Sequence, residues 1–146
     1  MTTDLRLVTS PANARRDDPF AAIQSALRRL PQVRSESSST HVTICAADSS
    51  GFDVTFRENA GRYVVRCSGW HDEFASAESA LNCFFKALGA ECRLRVVMRG
   101  QTQCSWQLQV LSEEKWQSLT GRRRLLIPFW FRPRVIWLQN DFVEAA

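Results

Sequence analysis

Apolar positions recur along the chain with two different periods. Phe20, Ile23, Leu27 and Leu30 fall three, four and three residues apart, which predicts one stripe of a helix. Asp18 suits its N-cap, and Pro19 suits a first turn where a backbone N–H has no partner anyway. Arg28 and Arg29 fall in the predicted last turn, where cations suit the helix dipole, and Pro31 ends the helix. Residues 1–17 have no sustained period and predict a flexible N-terminal tail, leaving 18–146 as a single domain. Residues 34–40, Arg-Ser-Glu-Ser-Ser-Ser-Thr, predict a flexible linker.

From His41 the period becomes two. Val42, Ile44 and Ala46 alternate with polar neighbours, as do Phe52, Val54 and Phe56, and then Tyr63, Val65 and Cys67. The clusters Asp48–Gly51 and Glu58–Gly61 separate these runs and predict turns, so an antiparallel meander of three strands is expected. Trp70-His71-Asp72-Glu73-Phe74 reads as a link in which Trp70 and Phe74 plug the core and the three polar residues face water. The helical period returns at Ala77, Ala80, Leu81, Phe84, Phe85 and Leu88, with Ser76 as cap, Glu78 in the first turn and Gly89 as the stop.

Two further alternating runs follow, Cys92–Met98 and Cys104–Val110, turned by Gly100-Gln101-Thr102. Ser112-Glu113-Glu114 predicts a break, with a short helix through Trp116 and Leu119 ended by Gly121. Arg124 to Asn140 is rich in apolar residues but interrupted by Pro128 and Pro133, which predicts edge-strand pieces. Helices and strands are segregated, so the expected class is α+β: an antiparallel sheet of about five or six strands with two helices packed on one face. Phe52, Val54, Phe56, Tyr63, Val65, Leu94, Val96, Trp106 and Leu108 are expected on the covered face, beneath Phe84 and Phe85.

The order helix, three strands, helix over roughly residues 19–89 resembles that of the double-stranded-RNA-binding domain. The resemblance is one of order alone. It implies a basic cluster at the start of the second helix. The matching turn, Ala75-Ser76-Ala77-Glu78-Ser79, carries an acid and no base.

Composition adds a charge of +4 from 19 basic and 15 acidic residues, too little for a dedicated nucleic-acid coat. No apolar run is long enough to span a bilayer. The start Met1-Thr2-Thr3-Asp4 lacks the apolar core of a secretory signal, and the five cysteines contain no C-x-x-C pair. A reduced, cytoplasmic protein is the simplest expectation.

Two patterns are candidates for function. In Arg122–Arg134, five arginines bracket Leu125, Leu126, Ile127, Phe129, Trp130 and Phe131 with no acid between. Aromatic anchors beside arginine suit a protein contact, so Phe129, Trp130, Phe131, Arg132 and Arg134 are the expected partner-binding residues. An anionic membrane surface or completion of the core are the other readings of the same segment. The second pattern is an arginine-lined sheet face, with Arg62, Arg66, Arg93, Arg95 and Arg99 able to follow RNA phosphates. That face lacks visible aromatics, and Val64 and Val97 are poor stacking platforms. A third, smaller expectation is a small enzyme or ligand site using Cys67 and His71.

No nucleophile elbow, phosphate loop, dinucleotide fingerprint or zinc-ligand spacing is present, so neither cofactor nor metal is expected. The leading expectation is a non-enzymatic protein-interaction module, with a homodimer as its simplest form.

Overall fold

The computed structural model describes residues 18–124, 128 and 130–142. The chain divides into two compact units, Met1–Val33 and Arg34–Ala146. In the first, helix α1 (Pro19–Leu27) begins where the sequence places it, with Asp18 Oδ1 accepting from the Phe20 and Ala21 amides at 3.1 and 3.4 Å. It ends at Leu27, so Arg28 and Arg29 follow the last turn rather than occupy it. Leu30 precedes Pro31, which disfavours helical geometry there, and the chain leaves through tight turns from Arg29 to Ala26 and Leu30 to Leu27.

The described residues of the second unit form two antiparallel sheets and one helix. Strands β1 (Ser35–Ser37), β2 (His41–Ile44), β3 (Val54–Asn59), β4 (Arg62–Cys67) and β5 (Trp70–Phe74) pair in chain order. Helix α2 (Ala77–Ala87) follows, then β6 (Cys92–Arg99), β7 (Thr102–Ser112), β8 (Lys115–Arg123) and β9 (Pro133–Leu138), paired in the order β8-β7-β6-β9. The α+β class and antiparallel pairing are as expected, with the strands shared between two sheets.

Every residue expected on the covered face is buried, Tyr63 only partly. Helix α2 lies on β3, β4 and β5. Phe84 meets Phe56 edge to face at 5.8 Å and Phe85 at 5.5 Å. Burial of each such ring is worth about 1.5–3 kcal/mol, so this cluster anchors the helix. Ser76 Oγ accepts from the Ser79 amide, as a cap should.

Three elements differ from the sequence reading. The expected linker contains β1, an edge strand whose side chains are all exposed and which is held by its backbone pairing to β2. Trp70–Phe74 is itself a strand, with Cys67 opposite Trp70 and only Ser68 and Gly69 between. Its alternation therefore sends Asp72 to the helix side with Trp70, so the three polar residues do not all face water. The expected helix after Glu114 is β8, reached through a two-residue turn in which Glu113 and Glu114 both have positive φ, 51° and 64°.

Left-handed backbone at a residue with a side chain costs about 1–2 kcal/mol, and asparagine followed by glycine suits such a turn. Glu113→Asn combined with Glu114→Gly is therefore expected to stabilise the protein by about 1 kcal/mol or more in thermal unfolding. A neutral or lowered melting temperature would contradict the turn.

Candidate functional site

The two sheets differ sharply in charge. Strands β1 to β5 carry Glu36, Glu58, Asp72 and Glu73 against Arg57, Arg62 and Arg66. Strands β6 to β9 carry Arg93, Arg95 and Arg99 on β6, Lys115, Arg122 and Arg123 on β8, and Arg134 on β9, with no carboxylate among them. The five arginines expected on one face are thus divided. Arg62 and Arg66 belong to the first sheet, where Arg62 pairs with Glu73. Arg93, Arg95 and Arg99 belong to the second, on the side opposite the buried Leu94, Val96 and Met98.

On this outer face of the second sheet the structure supplies the aromatics that the sequence reading found missing. The Arg93 guanidinium lies 4.1 Å from the centre of the Trp116 ring on β8 and 4.2 Å from that of Trp137 on β9. Its Nε donates to Gln109 Oε1 at 2.8 Å, which fixes the plane of the group. Such a stack puts flat π surfaces and a delocalised cation in one layer. Trp137 remains 46% exposed. Its outward position follows from the register, which sets Trp137 beside Arg95 and Val135 beside Val97.

Next to the stack is an open depression of about 360 Å³ lined by Arg95, Arg99, Gln107, Gly121 and Arg123, among others. The pairing shifts register between Val97 and Met98 and between Gln107 and Gln109, and Gly121 adds no side chain, so the floor is locally hollow. Among the described residues the side chains of Arg95 and Arg123 have no hydrogen bond or ion pair. Arg99 donates to the Phe131 carbonyl at 2.9 Å.

The expected partner-binding residues border this face. Trp130 is 80% exposed and its ring stands 6.0 Å from that of Phe131, while Arg132 and Arg134 are exposed. Phe131 packs over Gly100, and Arg134 begins the edge strand β9 just after Pro133. Phe129, with Leu125, Leu126 and Ile127, lies outside the described residues.

Cys67 and His71 are not brought together. Cys67 is buried on the helix side of β4, while His71 pairs with Arg66 and faces the other way. Burial pushes the Cys67 thiol well above its usual value, and Cys83 and Cys92 up to about 12, so none is a ready nucleophile at neutral pH. His71 is held below the usual histidine value, first by burial and then by Arg122 and Arg66; the Gly69 backbone and Asp72 act in the opposite direction.

A histidine with a lowered folded value binds fewer protons folded than unfolded. Stability should therefore fall as pH drops through the ordinary imidazole range near about 6.5. His71→Gln is expected to flatten that part of a pH–stability profile. A slope unchanged by the substitution would assign it to another group.

No family model, curated protein or solved structure matches the chain. No described helix is long and apolar enough to cross a membrane.

Proposed function

We propose that this chain is a non-enzymatic binding module that takes single-stranded nucleic acid across the outer face of its four-stranded sheet. The observation that carries the reading is the Trp116–Arg93–Trp137 stack on a face whose strands hold arginines and no carboxylate. Backbone phosphates need cations that are not already neutralised, and Arg95 and Arg123 meet that need. Unpaired bases need flat partners, and the exposed indole of Trp137 is one. A sheet face offers both in register over several nucleotides, whereas a duplex hides its bases from such a platform.

Fluorescence anisotropy with a labelled single strand of about twelve nucleotides tests this, at low and raised salt. Binding is expected to weaken with salt. Arg95→Gln and Arg123→Gln should each reduce the logarithmic salt slope by about 0.7. Trp137→Ala should weaken binding about fivefold to a hundredfold, the loss of one stacked base, with little change in that slope. Absence of binding at low salt, or equal affinity for duplex and single strand, would remove the reading.

A second reading, protein contact or self-association, is favoured by Trp130 and Phe131 standing exposed beside β9, an edge strand among the described residues. Sedimentation at two concentrations tests it. A monomer at both, with Trp130→Ala unchanged, would exclude the self-associating form.

A further inference from the structure

We infer that the outer face of the five-stranded sheet holds a separate site for a terminal phosphate, bound by Arg57, Arg66, His41 and His71. The register builds it. Thr43, Thr55, Arg66 and His71 form one row across β2 to β5, and His41, Arg57 and Val64 form the next. Between the rows lies a depression of about 320 Å³ lined by these seven residues. That is near the lower end for small-molecule sites, enough for a phosphate with a modest organic group.

Among the described residues no carboxylate lines the depression. Glu73 follows His71 on the same face but is engaged by Arg62, and Glu36 stands beyond Thr43 on the edge strand. Among the described residues neither the Arg57 nor the Arg66 side chain has an ion pair or hydrogen bond. Two uncompensated guanidiniums facing one hollow repel each other, and an anion between them relieves that repulsion.

The neutral groups are arranged to donate. Ser38 Oγ lies 2.8 Å from His41 Nδ1; with the hydroxyl donating, the ring proton sits on Nε2 as a donor. Thr43 and Thr55 share a hydrogen bond of 2.9 Å, which leaves one hydroxyl proton for a ligand. His71 Nδ1 is enclosed beside the Gly69 backbone, so the ring meets a ligand through Nε2, and a bound anion favours the protonated ring that donates there. Four cationic or N–H-bearing side chains and one free hydroxyl proton around one hollow match a tetrahedral oxyanion. A planar carboxylate would satisfy fewer of them.

This site does not depend on nucleic-acid binding by the other sheet, and calorimetric titration separates them. Inorganic phosphate and sulfate are expected to bind to the wild-type chain where chloride at matched ionic strength does not. Arg57→Gln and Arg66→Gln should each weaken phosphate about tenfold, while Arg28→Gln, at an exposed position on neither sheet, leaves it unchanged. Both substituted positions are exposed, so folding should be retained, and a melting curve checks this. Adenosine 5′-phosphate against adenosine and phosphate decides the source: tighter binding of the nucleotide indicates a phosphorylated small molecule, equal binding a free phosphate. Equivalent heats with chloride, or unchanged phosphate binding in both arginine variants, would overturn the site.

Discussion

Replacing Asn140 with alanine is expected to cost about 3 kcal/mol of folding stability, among the largest effects of any single substitution in the chain. The side chain is almost completely buried and fully used. Its Oδ1 accepts from the Phe52 amide at 3.0 Å, and its Nδ2 donates to the carbonyls of Phe52 at 2.9 Å and Ala87 at 3.1 Å. Two residues past β9, this one side chain thus ties the entry to β3 and the end of α2 to the C-terminal segment. The neighbouring Gln139 and Phe142 amides add bonds to the Ser50 and Leu88 carbonyls.

Alanine would leave one buried amide and two buried carbonyls without partners, each costing about 1–3 kcal/mol before relaxation and water entry reduce the sum. Asn140→Asp is the sharper test. It keeps the acceptor for Phe52 but turns a carboxylate oxygen toward two carbonyls. Its folded carboxyl would therefore bind a proton more tightly than in the unfolded chain, so this variant should lose stability as pH rises from acid to neutral. Urea unfolding of both variants across pH measures this. A loss under about 1 kcal/mol for alanine, or a pH profile for aspartate parallel to wild type, would show that the three bonds are not stabilising.

The difference between what the sequence disclosed and what it concealed follows from side-chain pattern. Strands β3, β4, β6 and β7 bury alternate residues against a core, so their period was legible. Strand β1 was hidden because Ser35, Glu36 and Ser37 are all exposed and only the backbone holds them. In β5, Asp72 at an inward position breaks the apolar alternation; the half-buried carboxylate has Arg122 Nη2 at 3.7 Å. In β8 the register shift opposite Leu108 breaks the period of two, and Glu113-Glu114 lacks the usual turn residues.

Alternation also reports only which face a residue takes, never which strand lies beside it. The arginines of β4 and β6 therefore read as one field although they lie on separate sheets. The indole of Trp137 was missed for the same reason, and that of Trp116 because its strand β8 was read as a short helix. A signal for Trp137 was present: in Pro133–Leu138, Val135 and Trp137 alternate with Ile136 and Leu138, which places the indole on the arginine side of β6.

Gly69→Ala is expected to destabilise the protein by about 3 kcal/mol, at the upper end for an overpacked site. A Cβ at Gly69 would stand 2.1 Å from Trp106 Cε2 and 2.4 Å from two further ring atoms. The requirement is for space, since a heavy atom cannot share the volume of an indole. The ring has little freedom to yield. Its Nε1 donates to Gln103 Oε1 at 2.8 Å, and the same oxygen accepts from Ser68 Oγ at 3.1 Å. Moving Trp106 aside would break its bond to Gln103, the side chain that also holds Ser68, at the place where the β4–β5 turn meets β7.

A double-mutant cycle isolates the clash from any effect on the turn itself. Trp106→Ala alone should cost several kcal/mol through lost packing. In that background the methyl group of Gly69→Ala enters space already vacated, so its added penalty should nearly vanish. A coupling of about 2–3 kcal/mol would establish that the indole lies against the glycine. If Gly69→Ala costs the same in both backgrounds, its effect arises within the turn, and the packing of the two sheets at this point is wrong.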